Sequence, residues 1–294
     1  LGFLSGSIYG RIMTGLAPVL RTATTALGGI SPTPRLDAEL LLAHALGIDR
    51  SAMLLRQDEL CVPDSFGALL ARRVADEPIA YITGTQAFWD IELHVTPDVL
   101  IPRADSETLL EAAIDWFASN EAPSRIADLG TGSGALLLAA LSIFPNAQGY
   151  GMDASQAALA VARDNAERLG FANRAEFAHR DWTKTGWHVG LGVFDLILCN
   201  PPYIEGGKKL APMVSAHEPH NALFAGADGL DDYRLLIPRL GALLDPRGVA
   251  FFEIGYNQAE SVQRLASDAG FLTELRHDLA GNSRVIRFSL GIKE

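Results

Sequence analysis

The sequence predicts an α/β fold, a parallel sheet covered by helices, carried behind a small helical domain. Three observations lead there. Apolar runs of strand character alternate with helical periodicity from Arg125 to Ala269. A strand at Arg125–Leu129 runs into Gly130-Thr131-Gly132-Ser133-Gly134 and then a helix, Ala135–Ile143, the arrangement of a nucleotide-cofactor loop. Between Ser31 and Asp76 the spacing is helical throughout. At 294 residues, 48% of them apolar, the chain exceeds a typical single domain and has ample material for two cores.

Taken in order, Leu1–Leu20 is mildly apolar with Arg11 inside it. It lacks the cationic start and compact apolar core of a signal peptide, and residues 1–15 read as a start-site extension. A loop, Gly28–Pro34, precedes Leu36, Leu40, Ala43 and Leu46 at helical spacing, with Asp37 and Glu39 off that stripe and Gly47 as the stop. A second helix fits Ser65–Val74, and His44, a single histidine on a helix, reads as structural. Glu77-Pro78 leads out. Trp89, Ile91, Leu93 and Val95 alternate with Asp90, Glu92 and His94 as a half-buried strand, expected to form a hairpin with Ile79–Thr83. The domains are therefore expected at residues 16–76, a helical docking domain; 77–104, a linker with the hairpin; and 105–294, the catalytic domain.

Asp105 or Ser106 is placed to cap the next helix, whose apolar face is Leu109, Leu110, Ala113, Ile114 and Phe117. For Arg103 and Glu107 a solvated helix start and a functional role stay open. After the glycine loop come a strand at Gln148–Met152 ending in Asp153, a helix at Gln156–Leu169, and a strand at Ala175–His179 ending near Asp181-Trp182. Phe194–Cys199 is a buried strand. The stretch from Ile204 through Lys208-Lys209 is polar and loop-like, long enough to be functional or mobile. A helix at Asp232–Leu244, a strand at Val249–Ile254, a helix at Gln258–Ala269 and a strand pair, Thr273–His277 with Arg284–Phe288, complete the chain.

The chemistry concentrates in Asn200-Pro201-Pro202-Tyr203, closing the Phe194–Cys199 strand. Each proline removes a backbone donor and fixes φ, so the segment offers acceptors, the Asn200 side-chain oxygen and the carbonyls. Two acceptors hold both hydrogens of a planar NH2 group and leave its face open to an electrophile, with Tyr203 as a flat wall. The functional reading is N-methylation of an amide or amino group; a plain strand-ending turn is the alternative. The glycine loop departs from GxGxxG in that Gly134 comes one position early, with Ala135 after it, so spacing alone leaves a dinucleotide open. Three features favour S-adenosyl-L-methionine. Asp128 stands where a carboxylate holds a cationic tail through water, a ligand without pyrophosphate needs no tight helix-terminus contact, and Asn200 ends a strand beside the ligand crevice of such sheets. Asp153 follows the loop about 20 residues on, where an acid accepts from ribose hydroxyls. Asp181 and Trp182 suit an adenine.

The net charge of −11 argues against a nucleic acid as the main substrate and suits a basic protein partner. Cys61 and Cys199 lie far apart with no metal-ligand spacing, which fits a reducing cytoplasm and no metal site. No apolar run reaches the roughly 18 residues of a membrane span. Neither a Walker glycine–lysine pattern nor Gly-x-Ser-x-Gly is present.

From about Thr33 to its end the chain resembles the HemK/PrmC family of peptide chain release factor N5-glutamine methyltransferases. The resemblance rests on Pro34-Arg35-Leu36-Asp37-Ala38-Glu39-Leu40-Leu41-Leu42, Glu77-Pro78-Ile79-Ala80-Tyr81-Ile82-Thr83-Gly84, Phe88-Trp89 and Leu100-Ile101-Pro102-Arg103. It also rests on the glycine loop, Asn200–Tyr203, Glu218-Pro219 and Ala222–Leu230. Ala104 and Ser106 replace Pro and Thr of the family's usual Pro-Arg-Pro-Asp-Thr-Glu, and His220 stands where Arg is common. The resemblance implies a class I methyltransferase, Rossmann-like, with a mostly parallel seven-stranded sheet. It implies methyl transfer from S-adenosyl-L-methionine, leaving S-adenosyl-L-homocysteine, to the glutamine of a release factor's Gly-Gly-Gln motif. By it Gly130, Thr131, Gly132, Ser133 and Gly134 line the methionine part, Asp153 holds the ribose, and Trp182, with Asp181 beside it, meets the adenine. Asn200 and the Pro201 carbonyl bind the acceptor amide, with Pro202 and Tyr203 completing the site. A cytoplasmic monomer is expected, with release factors as partners and neither nucleic acid nor membrane. The rival readings are a glutamine methyltransferase acting on a ribosomal protein, a nucleic-acid amino-methyltransferase, and a non-catalytic S-adenosylmethionine-binding module.

Overall fold

The computed structural model describes residues 15–291, and the chain divides into two compact units between Gly84 and Thr85. The extension expected at residues 1–15 lies, but for Gly15, outside the described residues. The expected linker 77–104 is not one segment: 77–84 goes with the first unit and 85–104 with the second.

The first unit is helical: α1 (Leu16–Leu27), α2 (Pro34–Leu46), α3 (Arg50–Leu55), α4 (Phe66–Val74) and α5 (Ile79–Thr83). Helix α1 was not anticipated, yet Leu16, Leu20, Ala23 and Leu27 recur at helical spacing and are all buried. They pack with Leu41, Leu42, Met53, Phe66 and Ile82. The buried face of α2 corrects the expected stripe. Leu36 is exposed, while Ala38, Leu41 and Leu42 are buried together with Asp37 and Glu39. Both acids go inside because arginines meet them there: Arg73 reaches Asp37 at 2.8 Å, and Arg35 and Arg50 both bind Glu39. Ile79–Thr83 forms α5, not a hairpin strand; Pro78 fixes its entry and Gly84, at φ +76°, ends it.

The second unit opens with a hairpin, β1 (Thr85–Phe88) and β2 (Ile91–His94), turned through Trp89 at φ +55°. Then follow α6 (Glu107–Phe117), β3 (Arg125–Leu129), α7 (Ala135–Ile143), β4 (Gln148–Asp153), α8 (Gln156–Arg168), β5 (Ala175–His179), β6 (Phe194–Cys199), α9 (Pro212–His217), α10 (Asp231–Leu240), β7 (Leu244–Glu253), α11 (Ala259–Asp268), β8 (Phe271–His277) and β9 (Ser283–Leu290). The seven-stranded sheet runs β5-β4-β3-β6-β7-β9-β8, with β9 antiparallel to both its neighbours and the other pairings parallel. This is the expected class I methyltransferase sheet. Two boundaries differ: α10 ends at Leu240, not 244, and Leu244 already opens β7. Its register against β6 shifts between Phe194 and Leu196, and a Cβ at Gly248 would lie 2.6 Å from the Phe194 carbonyl. The expected loop from Ile204 through Lys209 holds no helix, and the short helix α9 follows it.

Strand order reverses between β3 and β6, so the crevice of the sheet opens at their carboxyl ends. Tyr233, Ile197, Phe252 and Phe288 are buried across the sheet beneath it. Among the described residues no helix is long and apolar enough to cross a membrane.

Candidate active site

The glycine loop leaves the end of β3 with Gly130, Gly132 and Gly134 all at positive φ, at 76°, 54° and 84°. Gly130 also faces the Trp182 ring, which a Cβ there would approach to 3.0 Å. The Asp153 carboxylate at the end of β4 holds the loop in place. One oxygen accepts from the Gly132 N–H at 2.9 Å, the other from the Ser155 N–H at 2.8 Å. Burial pushes its pKa up, and those amides pull against the rise. Trp182 is oriented by its own N–H, which donates to Asp232 at 2.6 Å. Asp128 is buried; Thr131 donates to its Oδ2 at 2.7 Å, while its Oδ1 has no hydrogen-bond partner among the described residues. Burial raises the Asp128 carboxyl to about 7, with the Thr131 hydroxyl opposing.

At the end of β6, Asn200 shares three cavities. Two adjoin on the glycine-loop side, lined by Asp128, Thr131 and Ser133 in one and by Asp153, Ser155 and Trp182 in the other. The third, about 230 Å³, is walled by Leu100, Tyr203, Ile204, Leu210, Val214 and Leu223. The Asn200 Nδ2 donates to the Ser106 hydroxyl at 3.0 Å. Ser106 donates to Glu253 Oε2 at 2.5 Å, and the Tyr203 hydroxyl donates to Glu253 Oε1 at 3.1 Å. Burial and the Glu253 carboxylate drive the Tyr203 phenol well above its usual range. Gln258 braces the turn, donating to the carbonyls of Tyr203 and Gly229 and accepting from the Gly255 N–H.

The structure thus gathers Gly130, Thr131, Gly132, Ser133, Asp153, Trp182, Asn200, Pro201, Pro202 and Tyr203 around one crevice. Gly134 lies behind it, where its Cβ position abuts Leu138 and Ala162. Asp181 departs from expectation. Its carboxylate caps its own turn through the Thr183 N–H and hydroxyl and lines none of the three cavities. An acid two residues ahead of Thr183 finds that local partner first. Arg103 and Glu107 are not a bare solvated helix start. Arg103 binds the buried Glu218, and Glu107 accepts from the Trp89 N–H at 2.9 Å. Ser106 sits at the N-cap of α6 but makes no cap bond. His220 makes local contacts, to the Ser215 carbonyl and the Phe224 ring. The reading from sequence missed Glu253 and Gln258, and also Asn165, fully buried, which donates to the carbonyls of His94 and Ser133 and fastens the hairpin to the glycine loop.

Residues 18–84 match a family model described as the PrmC N-terminal domain, and residues 120–236 match one described as a methyltransferase domain. The chain is 42% identical over 259 residues to the release factor glutamine methyltransferase of Rhodospirillum rubrum, covering 86% of this chain and 78% of that one. It is 41% identical over 270 residues to the protein of the same name from Caulobacter vibrioides, covering 88% and 90%. Among solved structures, a methyltransferase from Pyrococcus furiosus shares the fold at a TM-score of 0.50 and 19% identity, covering 76% of this chain and 98% of that one.

Proposed function

The chain belongs to the release factor glutamine methyltransferases, and from that premise we propose that it methylates the side-chain amide nitrogen, N5, of the glutamine in the Gly-Gly-Gln motif of peptide chain release factors. It is an S-adenosylmethionine-dependent methyltransferase by family and fold. The observation that carries the finer reading is the position of Asn200. One side chain forms part of the wall both of the cavities at the glycine loop and of the apolar cavity beyond.

The residues on the glycine-loop side suit S-adenosyl-L-methionine. Asp128 has a buried oxygen without a partner, available to a cationic tail through water. At Gly132 the loop is open: among the described residues nothing lies within 4 Å of where a Cβ would stand. Asp153 would meet the ribose and Trp182 the adenine. When bound, the group supplies an electrophilic methyl on a sulfonium. This chain's own residues supply orientation. An amide nitrogen is a poor nucleophile because its lone pair is delocalised into the carbonyl. The Asn200 oxygen and the Pro201 carbonyl, accepting its two hydrogens, increase electron density on nitrogen and hold it still, with Tyr203 packed alongside. The gain is positional and electrostatic. Methyl transfer leaves the amide nitrogen cationic and still carrying both hydrogens; this N-protonated amide is a strong acid that loses one proton to water, so no dedicated base is needed.

The apolar third cavity would take the methylene stem of the acceptor. The helical unit carries no candidate catalytic residue, and we assign it to docking the release factor. Deleting it should raise KM for that protein more than it weakens cofactor binding; an unchanged KM would remove the docking role. The main test uses methyl-labelled S-adenosylmethionine with a release factor and with the same factor carrying Gln→Ala in Gly-Gly-Gln. Label on the first alone is the expected result. Label on both would move the target elsewhere on the factor, and label on neither would overturn the substrate.

A further inference from the structure

We propose that Glu253, acting through the Ser106 hydroxyl, is the positioning residue that decides which end of the Asn200 amide faces the methyl acceptor. The inference rests on the reading of Asn200 given above. It follows from the direction each hydrogen bond must take. Glu253 is buried at the end of β7, with its carboxylate between Ser106 and Tyr203. A carboxylate has no hydrogen to give, so the Ser106 hydroxyl must spend its one hydrogen on Oε2. Ser106 is then left only lone pairs, and Asn200 must answer with Nδ2. The Asn200 oxygen is thereby turned away from Ser106, free to accept. An asparagine amide is nearly symmetric in shape, so packing alone would not select this orientation; the hydrogen-bond chain does. Glu253 Oε1 meanwhile accepts from Tyr203, so both ends of Asn200–Tyr203 are referred to one carboxylate.

Two further facts favour a device over incidental packing. Ser106 occupies the N-cap of α6 without capping it, so its hydroxyl is withheld from the helix and given to Glu253. And Glu253 makes no ion pair within reach among the described residues, although Arg284 of β9 lies near enough to act on it. Arg284 is engaged by Asp105 and Asp278, both at 3.0 Å. The groups facing Glu253 are thus Ser106 and Asp105 ahead of α6, Tyr203 after β6, Cys199 on β6, Tyr233 on α10, which donates to the Glu253 backbone carbonyl, and Arg284 on β9. Burial lifts the carboxyl to about 6, against the Ser106 hydroxyl and the Arg284 charge. Once protonated, Glu253 can donate to Ser106. Ser106 can then donate to Asn200, and the amide is released to turn its NH2 toward the acceptor. Turnover should therefore fall as pH drops through about 6, separately from cofactor affinity.

The test compares full-length wild type, Ser106→Ala, Ser106→Thr, Glu253→Gln and Asn200→Ala. It measures kcat on a release factor across pH and the Kd of S-adenosylhomocysteine. Ser106→Ala and Glu253→Gln should lower kcat roughly tenfold to a hundredfold, the scale of a misplaced reacting group, and move Kd less than about threefold. Ser106→Thr should restore most of the rate, and the acid limb near 6 should remain in wild type and Thr but vanish in Ala. Wild-type kcat in Ser106→Ala, or an unchanged acid limb, would overturn the positioning role while leaving Asn200 intact. Near-normal turnover in Asn200→Ala would instead overturn the reading of Asn200. A measurement that needs no acceptor decides the case independently. The Asn200 side-chain amide signal in a nitrogen–proton NMR spectrum, identified by its loss in Asn200→Ala, should titrate near pH 6 in wild type and stay flat in Ser106→Ala. A signal that titrates alike in both would refute the coupling.

Discussion

In the helical unit, Glu39 is buried between Arg35 and Arg50, and Asp37 lies against the buried Arg73. In the sheet unit, Asp128 and Glu253 are buried more completely, with hydroxyls as their direct partners. The consequences for charge are opposite. Burial would push Glu39 up, but the hydrogen bonds from Arg35 and Arg50 more than reverse it and leave it below its ordinary value. Asp128 and Glu253 are raised to about 7 and about 6. A buried acid matched to arginine is part of the architecture. A buried acid with no directly bound counter-charge is costly in the free protein, and such groups gather where a ligand or a reaction will use them.

The comparison can be broken most severely from the helical side. Arg73→Ala strands Asp37 in the core and should lower unfolding stability by about 3–5 kcal/mol in a urea titration. The Kd of S-adenosylhomocysteine should not change; a matching loss of affinity would mean the two acids are not separable. The sheet side should respond with the other sign. A carboxyl whose folded pKa is raised from 3.8 to about 7 contributes its stability in full below 3.8 and loses it as pH rises through about 7. Asp128→Asn should therefore raise the unfolding free energy at pH 8 in a urea titration, by at most about 4 kcal/mol from the size of the shift, and change little near pH 4. Glu39 has a depressed pKa, so its contribution is held above 4.5 and lost as pH falls through the lowered value. Acid should weaken α2 in hydrogen exchange while the glycine-loop side holds.

Asn200→Ala tests the site itself. Turnover should fall at least about a hundredfold, the cost of one critical positioning group, with cofactor affinity much less affected. Near-normal turnover would remove Asn200 from the mechanism. The smallest effect sharpens the role of Asp128. If its charge helps hold the cationic tail, the Kd of S-adenosylhomocysteine should rise about tenfold from pH 8 to pH 6 by calorimetry and lie flat in Asp128→Asn. A pH dependence that survives the substitution would assign it elsewhere.

What could be read from the sequence was what repeats at short range or sits in one continuous piece. The strand–glycine–helix unit at Arg125–Ile143 and the acceptor-rich Asn200–Tyr203 are contiguous, and the structure gathers them where expected. The failures have specific causes. Helix α1 carries its apolar stripe in plain view at Leu16, Leu20, Ala23 and Leu27, inside the helical domain expected at 16–76, yet no helix is read there ahead of the Gly28–Pro34 loop. Asp37 and Glu39 look like surface residues until Arg73, Arg35 and Arg50 are known to meet them. Ser106 reads as a helix cap because its partner Glu253 is 147 residues away, beyond any local spacing. Asp181 is the reverse case, a promising acid at a strand end that its neighbour Thr183 claims.

The two prolines after Asn200 have a consequence for fidelity. Between Asn200 and Tyr203 the backbone has no N–H, and Asn200 Nδ2 is already committed to Ser106. What faces an incoming side chain there is lone pairs. Glutamine ages by losing its amide nitrogen to hydrolysis, and the resulting glutamate would meet oxygen with oxygen at this turn; Arg103, which lines two of the same cavities, is already bound to Glu218. Sites built around a substrate's N–H groups reject analogues that lack them far more sharply than pockets built on size. A factor damaged in this way would be passed over, and the methyl mark, once placed, would also certify that the amide beneath it is intact.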